Sequence, residues 1–193
     1  MPHLILASAS PRRRELLQQI GVPFQVQPVD ICEDPQPGES AAAYVTRLAR
    51  EKAQAGLAAA GSGAVVLGAD TTVVIDDQIL AKPANEEEAV GMLMRLSGRQ
   101  HQVLTAVALA SAERTEVRCV LTEVEFIELD ENLCRRYWRT GEPCDKAGAY
   151  GIQGLGAVFV KAIHGSYSAV VGLPLMETAA MLQAFDIPLW QSA

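Results

Sequence analysis

Three consecutive arginines directly follow a serine–proline pair, Ser10-Pro11, near the start of the chain. The pair predicts the start of a helix, with Ser10 as the N-cap and proline at the first helical position. Because the N-terminal end of a helix already carries partial positive charge, Arg12 and Arg13 are unfavourable there unless an anion binds. A phosphate group would be bound by the arginines, the free backbone N–H groups and the hydroxyls of Ser8 and Ser10. A solvated basic patch is the alternative, and this segment alone favours neither.

A lysine falls on the apolar stripe of the second predicted helix, which Ser40 caps. Lys52 follows Val45, Leu48 and Ala49 by seven, four and three residues, so it projects from the buried face. A lysine in that place either extends its ammonium group to solvent or pairs with an anion. Extension to solvent is the commoner arrangement, and a phosphate ligand is the more specific interpretation.

Asp70 follows a buried strand predicted over residues 64–69, so we expect it at the carboxyl end of that strand. Ligands of α/β sheets bind beyond this end of the strands. A carboxylate there can hold Mg²⁺ or Mn²⁺, or orient a water molecule. An aspartate that opens a turn is the alternative, which the β-branched Thr71 and Thr72 disfavour. Glu33, in a loop predicted over residues 31–39, offers a second carboxylate.

A glycine-rich segment spans residues 145–154 and contains Gln153. Glycines allow the backbone to approach a ligand closely. Gln153 has both a donor and an acceptor, which reading the edge of a base requires. The segment lacks the patterns of a P-loop and of a dinucleotide-binding loop, and a plain connecting loop is its ordinary interpretation. Together the four segments offer cations for phosphates, carboxylates for a metal and a loop for a base, which indicates a nucleotide ligand.

The elements that must position these residues alternate between strands and helices. We predict an α/β fold with a mixed sheet. Helices are expected to begin at Ser10, Ser40, Asn85, Asp130 and Pro174. Strands are expected over residues 3–7, 24–29, 64–69, 71–76, 78–82, 102–110, 116–129 and 157–163.

Composition excludes several classes of function. The chain has 193 residues, 49% of them hydrophobic, which suits one domain with a sizeable core. Its net charge of -7 argues against nucleic-acid binding. Apolar runs fall short of the roughly 20 residues of a membrane span. The four cysteines and three histidines lack zinc-ligand spacing. We therefore expect a cytoplasmic protein with reduced thiols, bound neither to membranes nor to nucleic acid.

The sequence resembles the Maf family of nucleoside triphosphate pyrophosphatases from residue 4 to about residue 185. The order and spacing of the matching segments are also typical of the family. These segments are LILASASPRRRELL (4–17), SAAAYVTRLAREKA (40–53), VLGADTTVVID (66–76), LAKP (80–83), LSGRQHQVLTAVAL (96–109), GEPCDKAGAYGIQG (141–154) and GSYSAVVGLP (165–174).

This resemblance implies a fold and a reaction. The fold would be a single α/β domain over residues 1–193, around an elongated mixed sheet with a nucleotide cleft, similar to inosine triphosphate pyrophosphatases. Family members are typically homodimers and use a divalent metal, for which we consider Mg²⁺, Mn²⁺ or Co²⁺. They cleave a nucleoside triphosphate between its α- and β-phosphates.

The resemblance also assigns residues. Asp70 falls at the position that accepts a proton from water, and Arg13, Glu33, Lys52 and Lys82 fall at positions implicated in catalysis, phosphate binding or metal binding. We expect Asp70 and Glu33 to hold the metal. Arg12, Thr71 and Gln153 match the branch that acts on dTTP and UTP. The branch that acts on 7-methyl-GTP has tryptophan where this chain has Arg12.

Two other functions stay open. Family members have been linked to inhibition of septum formation, so the chain could bind a nucleotide as a regulator of cell division without cleaving it. Asp70 and the cations disfavour that interpretation, because a binding protein has less need of a base. A pyrophosphatase for a modified purine triphosphate is the alternative within the enzyme class.

Overall fold

The computed structural model of the chain describes residues 3–61 and 63–191. Within these residues seven strands form one mixed sheet: β1 (His3–Leu6), β2 (Phe24–Val26), β3 (Ala64–Ile75), β4 (Gln78–Leu80), β5 (Gln100–Ala110), β6 (Thr115–Phe126) and β7 (Val160–His164). Their order is β2-β1-β3-β5-β6-β7, with β4 paired to β3. The predicted α/β fold with a mixed sheet is confirmed.

Six α-helices accompany the strands in the described part of the chain: α1 (Pro11–Gln19), α2 (Ala41–Ala60), α3 (Glu86–Leu96), α4 (Glu131–Trp138), α5 (Tyr167–Val171) and α6 (Leu175–Ala184). Five of them begin where local sequence predicts: α6 directly follows Pro174, and the other four have a side-chain N-cap. The side chains of Ser10, Ser40, Asn85 and Asp130 each accept a hydrogen bond from the backbone N–H three residues on. This contact satisfies one of the N–H groups that lack a partner inside the helix.

The contacts of the chain cluster into two compact units. Unit 1 contains the described residues up to Asp70, together with Thr105–Val120 and the described residues from Gly172. Unit 2 contains Thr71–Leu104 and Leu121–Val171. The chain passes from one unit to the other inside strands β3, β5 and β6. The expectation of a single domain over residues 1–193 stays a prediction.

Three strands of unit 1 pair in parallel. Strand β1 lies between β2 and β3 and pairs with both in parallel, with Ile5 opposite Gln25 on one side and Val66 on the other. Residues 4–7 and 64–70 are all buried. Continuous burial is typical of parallel strands that are covered on both faces. Ile5, Ala7, Ala64 and Val66 form a core cluster in this unit.

Unit 2 is built around a hairpin and an aromatic cluster. Strands β3 and β4 pair antiparallel through a two-residue turn at Asp76 and Asp77, both at positive φ as in type I′ turns. The aromatic rings that contact one another belong to His101, Phe126, Tyr137, Tyr150 and Phe159. Three short 3₁₀ helices, Glu142–Asp145, Ala147–Ala149 and Leu155–Phe159, carry the glycine-rich segment past this cluster.

Several predicted element bounds are wrong. The strand expected to end before Asp70 continues to Ile75, because the β-branched run from Thr71 suits a strand as well as the residues before it does. Strand β2 stops at Val26 instead of residue 29, and β7 begins at Val160, since residues 155–159 form a 3₁₀ helix. Helix α5 was not predicted. None of the described helices is both long enough and apolar enough to cross a membrane.

Candidate active site

The close packing of helix α2 on strand β3 positions Lys52 and Asp70. A Cβ at Gly68 would lie 2.5 Å from the backbone nitrogen of Ala53, so only glycine lets the helix pass at this distance. Asp70 lies two residues beyond Gly68 and therefore projects from the same face of the strand. Lys52 precedes Ala53 on α2. The local sequence thus brings a lysine and an aspartate to one buried position.

Lys52 joins two carboxylates. Its Nζ lies 2.7 Å from Asp70 Oδ1 and 2.7 Å from Glu33 Oε1. The side chains of Lys52 and Asp70 are each 11% exposed, whereas that of Glu33 is 51% exposed. The buried lysine is therefore satisfied by ion pairs, as a buried charge requires. The cluster of Lys52, Asp70 and Glu33 is thus shielded from solvent at Asp70 and open to solvent at Glu33.

The electrostatic surroundings of Asp70 favour its action as a base. Burial raises the pKa of Asp70 above its ordinary value, while the charges of Lys52 and Arg13 and the hydrogen bond from Lys52 oppose that rise. Glu33 adds to it. A carboxylate whose pKa is raised holds a proton more strongly than an exposed one, and it accepts a proton more readily when ionised.

Helix α1 supplies a second cation beside Asp70. Arg13 donates from Nε to the carbonyl oxygen of Gly172 at 2.8 Å and from one terminal nitrogen to Ser8 Oγ at 3.3 Å. Ser8 Oγ also accepts from the N–H of Ser10 at 3.2 Å. Burial lowers the pKa of Arg13, and the negative charge of Asp70 opposes that effect. Arg12, half-buried on the same turn, is a neighbouring positive charge.

The remaining predicted residues belong to unit 2. Thr71 is half-buried on β3, and Lys82 is exposed just after β4. The N–H of Gly148 donates to the carbonyl oxygen of Ala81 at 3.2 Å, so the segment with Lys82 meets the glycine-rich segment. Gln153 is exposed within that segment.

A half-buried glutamate, Glu142, holds the segment that carries Gln153. The Glu142 carboxylate accepts from Tyr137 Oη at 2.6 Å, from the N–H of Leu155 at 2.7 Å and from the N–H of Gly156 at 2.9 Å. Burial alone raises the pKa of Glu142, but the donated hydrogen bonds and Lys146 outweigh it and lower the pKa. Gln153 therefore lies in a loop whose backbone is bound by Glu142 at residues 155 and 156.

Three contributors to these clusters are not predicted from the sequence: the Gly172 carbonyl, Glu142 and the pair Tyr44–Arg47 on α2. Tyr44 donates from its hydroxyl to the carbonyl oxygen of Glu33 at 2.8 Å. Its spacing of eight residues from Lys52 places both on one face of α2, which is the signal that could have indicated the contact.

The carboxylates fit a hard divalent cation. Asp70 and Glu33 offer oxygen donors that already share one positive charge, the ammonium group of Lys52. Magnesium sites often use one or two carboxylates, with substrate phosphates as further ligands. In residues 3–61 and 63–191, no three acidic, histidine or cysteine side chains come together as a metal cluster.

The fold and these clusters define an α/β protein in which buried acidic and basic side chains meet at the junction of a central strand and a helix. A family model described as "Maf-like protein" matches residues 3–185, and the chain belongs to this family. The resemblance found in the sequence is confirmed.

Relatives cover almost the whole chain. A protein from Saccharophagus degradans named dTTP/UTP pyrophosphatase is 55% identical over 98% of this chain and 91% of its own. A protein of the same name from Hahella chejuensis is 53% identical over 97% of this chain and 94% of its own. Among solved structures, the nucleoside-triphosphatase / dITP/XTP pyrophosphatase of Mycobacterium abscessus is 16% identical, with a TM-score of 0.47 and coverage of 95% and 96%.

Proposed function

We propose that this protein is a nucleoside triphosphate pyrophosphatase that hydrolyses dTTP and UTP to the monophosphate and diphosphate. The observation that carries the proposal is the buried cluster in which Lys52 pairs with Asp70 and Glu33. Relatives at 53–55% identity that bear the name dTTP/UTP pyrophosphatase support the choice of substrate.

In the proposed reaction, water attacks the α-phosphorus and the bond to the bridging oxygen of the β-phosphate breaks. Asp70 accepts the proton of the attacking water, and diphosphate leaves with the electrons of the broken bond. Lys52, Lys82, Arg12 and Arg13 offset the negative charge of the phosphates as it shifts toward the leaving group. No covalent intermediate with the protein is needed, so positioning and electrostatics supply most of the rate.

The hydroxyls of Ser8 and Ser10 complete the phosphate site in this proposal. Ser8 already contacts Arg13, and Ser10 accepts a hydrogen bond from the N–H of Arg13 at 3.5 Å. A phosphate at the start of α1 would receive hydrogen bonds from these hydroxyls and from the guanidinium group.

Asp70 and Glu33 are the residues that would hold a divalent cation, Mg²⁺, Mn²⁺ or Co²⁺. Such a cation supplies positive charge against the phosphate oxygens of the substrate. Asp70 contributes a buried oxygen and Glu33 an exposed one, so the exposed side stays accessible to a substrate.

Thr71 and Gln153 are proposed to select the pyrimidine base. The amide of Gln153 offers two donors and an acceptor, which can pair with the carbonyl and N–H groups on the edge of thymine or uracil. The anchoring of its loop by Glu142 restricts where that amide can reach.

We further propose a homodimer in the cytoplasm. The four cysteines are free thiols, which suits a reducing compartment. Sedimentation equilibrium of the purified protein tests the oligomeric state directly.

A substrate panel tests the function. Purified protein is incubated with dTTP, UTP, CTP, the purine triphosphates and 7-methyl-GTP, each with Mg²⁺, Mn²⁺ or Co²⁺, and released diphosphate and monophosphate are quantified. We expect dTTP and UTP to give the highest kcat/KM. Binding without diphosphate release would favour a regulator, and preference for a purine would favour the other branch of the family.

A further inference from the structure

Glu33 lies in a long loop that polar contacts hold in place. The loop connects β2, which ends at Val26, to α2, which begins at Ala41. The side chains of residues 32–38 are all exposed. Burial of apolar groups therefore does not hold this stretch in place, and the position of the Glu33 carboxylate depends on polar contacts.

Two side chains of α2 bind the backbone at Glu33. Tyr44 donates from its hydroxyl to the carbonyl oxygen of Glu33 at 2.8 Å, and Arg47 donates from one terminal nitrogen to the carbonyl oxygen of Asp34 at 3.1 Å. These are successive carbonyl groups. Hydrogen bonds to both restrict the dihedral angles from which the Glu33 side chain projects.

The same guanidinium group binds the other end of the loop. Arg47 donates from Nε to Glu39 Oε1 at 2.7 Å and from a terminal nitrogen to Glu39 Oε2 at 2.8 Å, a bidentate pair. Glu39 Oε2 also accepts from the N–H of Gln36 at 3.0 Å. The bonds from Arg47 and Gln36 lower the pKa of Glu39 to about 2, so it stays ionised at neutral pH. Arg47 therefore holds the loop at Asp34 and at Glu39.

The guanidinium group is itself held on the helix. Arg47 contacts Glu51 at 3.3 Å, one turn further along α2, and its Cζ lies 5.7 Å from the centre of the Tyr44 ring. Its side chain is 17% exposed and that of Glu39 is 8% exposed. Lysine in its place would keep the charge but lose the planar group that reaches both Asp34 and Glu39.

We propose that Tyr44 and Arg47 are positioning residues for the Glu33 carboxylate. The proposal rests on the proposed pyrophosphatase function, in which Glu33 acts at the active site. Helix α2 then holds Glu33 in two ways. Tyr44 binds its carbonyl oxygen and Arg47 binds that of the next residue, Asp34, while Lys52 binds the Glu33 carboxylate at 2.7 Å. Side chains of one helix thereby hold both carboxylates of the site.

A double-mutant cycle separates positioning from general stabilisation. The variants are Arg47→Lys and Tyr44→Phe, each made in the wild type and in a Glu33→Gln background, with Arg50→Lys as the matched control at an exposed position on α2. For each protein we measure kcat and KM with dTTP and the melting temperature. Because a misplacement of about 1 Å costs up to about 100-fold in rate, we expect Arg47→Lys to lower kcat by about 10- to 100-fold in the wild type.

The Glu33→Gln background decides the outcome. If Arg47 acts through Glu33, Arg47→Lys and Tyr44→Phe change kcat little once Glu33 is replaced, and Arg50→Lys changes it in neither background. Equal losses of kcat in both backgrounds would overturn the proposal, because the residues would then act independently of Glu33. An unchanged kcat for Arg47→Lys in the wild type would overturn it as well.

Hydrogen exchange provides a readout that needs no substrate. The amide of Gln36 is bonded to Glu39, which Arg47 holds. We expect this amide to exchange faster in Arg47→Lys and at the wild-type rate in Arg50→Lys; an unchanged rate in Arg47→Lys would contradict the proposed tie. Failure of the wild type to cleave dTTP would instead count against the proposed function, and the two failures are thus distinguishable.

Discussion

Lys52 Nζ and Asp70 Oδ1 lie 2.7 Å apart between a helix and a strand that touch at Gly68. Because the ion pair is mostly buried, the attraction between its charges and the free-energy cost of removing them from water are both larger than at the surface. A buried charged pair of this kind adds little net stability to a protein. A role in chemistry therefore explains the presence of this pair in the core of unit 1.

Replacing Asp70 by asparagine should separate activity from stability. A general base typically contributes about 10²- to 10⁴-fold to a rate, and we expect Asp70→Asn to lower kcat with dTTP by that amount. Burial raises the pKa of Asp70, so the fold disfavours its charge, and Lys52 keeps Glu33 as a partner in the variant. The neutral amide should therefore change the melting temperature little. Steady-state kinetics and calorimetry measure the two effects. Near-normal kcat would remove Asp70 from the centre of the mechanism.

Replacing Lys52 should instead cost stability. In Lys52→Met, Asp70 loses its nearest positive charge, and breaking a buried pair by removing one partner costs about 3 to 5 kcal/mol. The pKa of Asp70 should rise further, because burial then acts with less opposition. Because the pKa of Asp70 is higher in the folded than in the unfolded chain, its ionisation opposes folding. The loss of unfolding free energy in Lys52→Met should therefore be complete at high pH and become smaller as pH falls toward about 4, the pKa of aspartate in the unfolded chain. Urea unfolding at about pH 8 and about pH 5 tests this, and an equal loss at both would contradict it.

The acid limb of the pH–rate profile should report on Asp70. Only the ionised form accepts a proton, so kcat/KM should fall as pH drops through a pKa that lies above the ordinary value for aspartate. The negative charge of Glu33 contributes to that rise. In Glu33→Gln we therefore expect the midpoint of the acid limb to move to lower pH, in addition to a lower rate. A midpoint that moves to higher pH would show that Glu33 does not act on Asp70 in this way.

Gly68 provides a test of the helix–strand contact. A methyl group in Gly68→Ala would meet the backbone of Ala53, which cannot move without displacing α2. Overpacking of this kind costs typically about 1 to 3 kcal/mol, and the shift of α2 should also lower kcat by moving Lys52. Gly91→Ala is the matched control. Gly91 lies in α3 with open space around it, so alanine there should stabilise the protein by about 0.5 to 1 kcal/mol. Denaturant unfolding of both variants decides the point.

The features that sequence predicts well in this protein depend on nearby residues. Ser40 and Asn85 cap their helices because the capping contact reaches only three residues along the chain. The burial of Lys52 follows from helical spacing alone. The end of β3 was misplaced because Asp70 is polar, whereas the contacts that tolerate it inside a strand come from Lys52, eighteen residues earlier.

The polar ties of the loops could not be predicted in the same way. Arg47 and Glu39 are close in sequence, but Glu39 lies in a loop without periodicity, so no pattern indicates that one guanidinium group holds both ends of it. Glu142 contacts residues 155 and 156 across a turn of the glycine-rich segment. Its partners there are backbone N–H groups, which almost every residue has, so the side-chain types in the sequence do not indicate the contact.

His101 should make the stability of unit 2 depend on pH. Its ring is buried, Nε2 lies 2.8 Å from Tyr150 Oη, and burial lowers the pKa of His101 to about 4. The unfolded chain, in which a histidine titrates near 6.5, therefore binds more protons between those two values. The contribution of neutral His101 is complete above about pH 6.5 and is lost as pH falls toward about 4. We expect His101→Gln to flatten the decline of the melting temperature over this interval, while His164→Gln, at an exposed position on β7, keeps the wild-type slope. Equal slopes in all three proteins would mean that His101 is not the group whose protonation opposes folding.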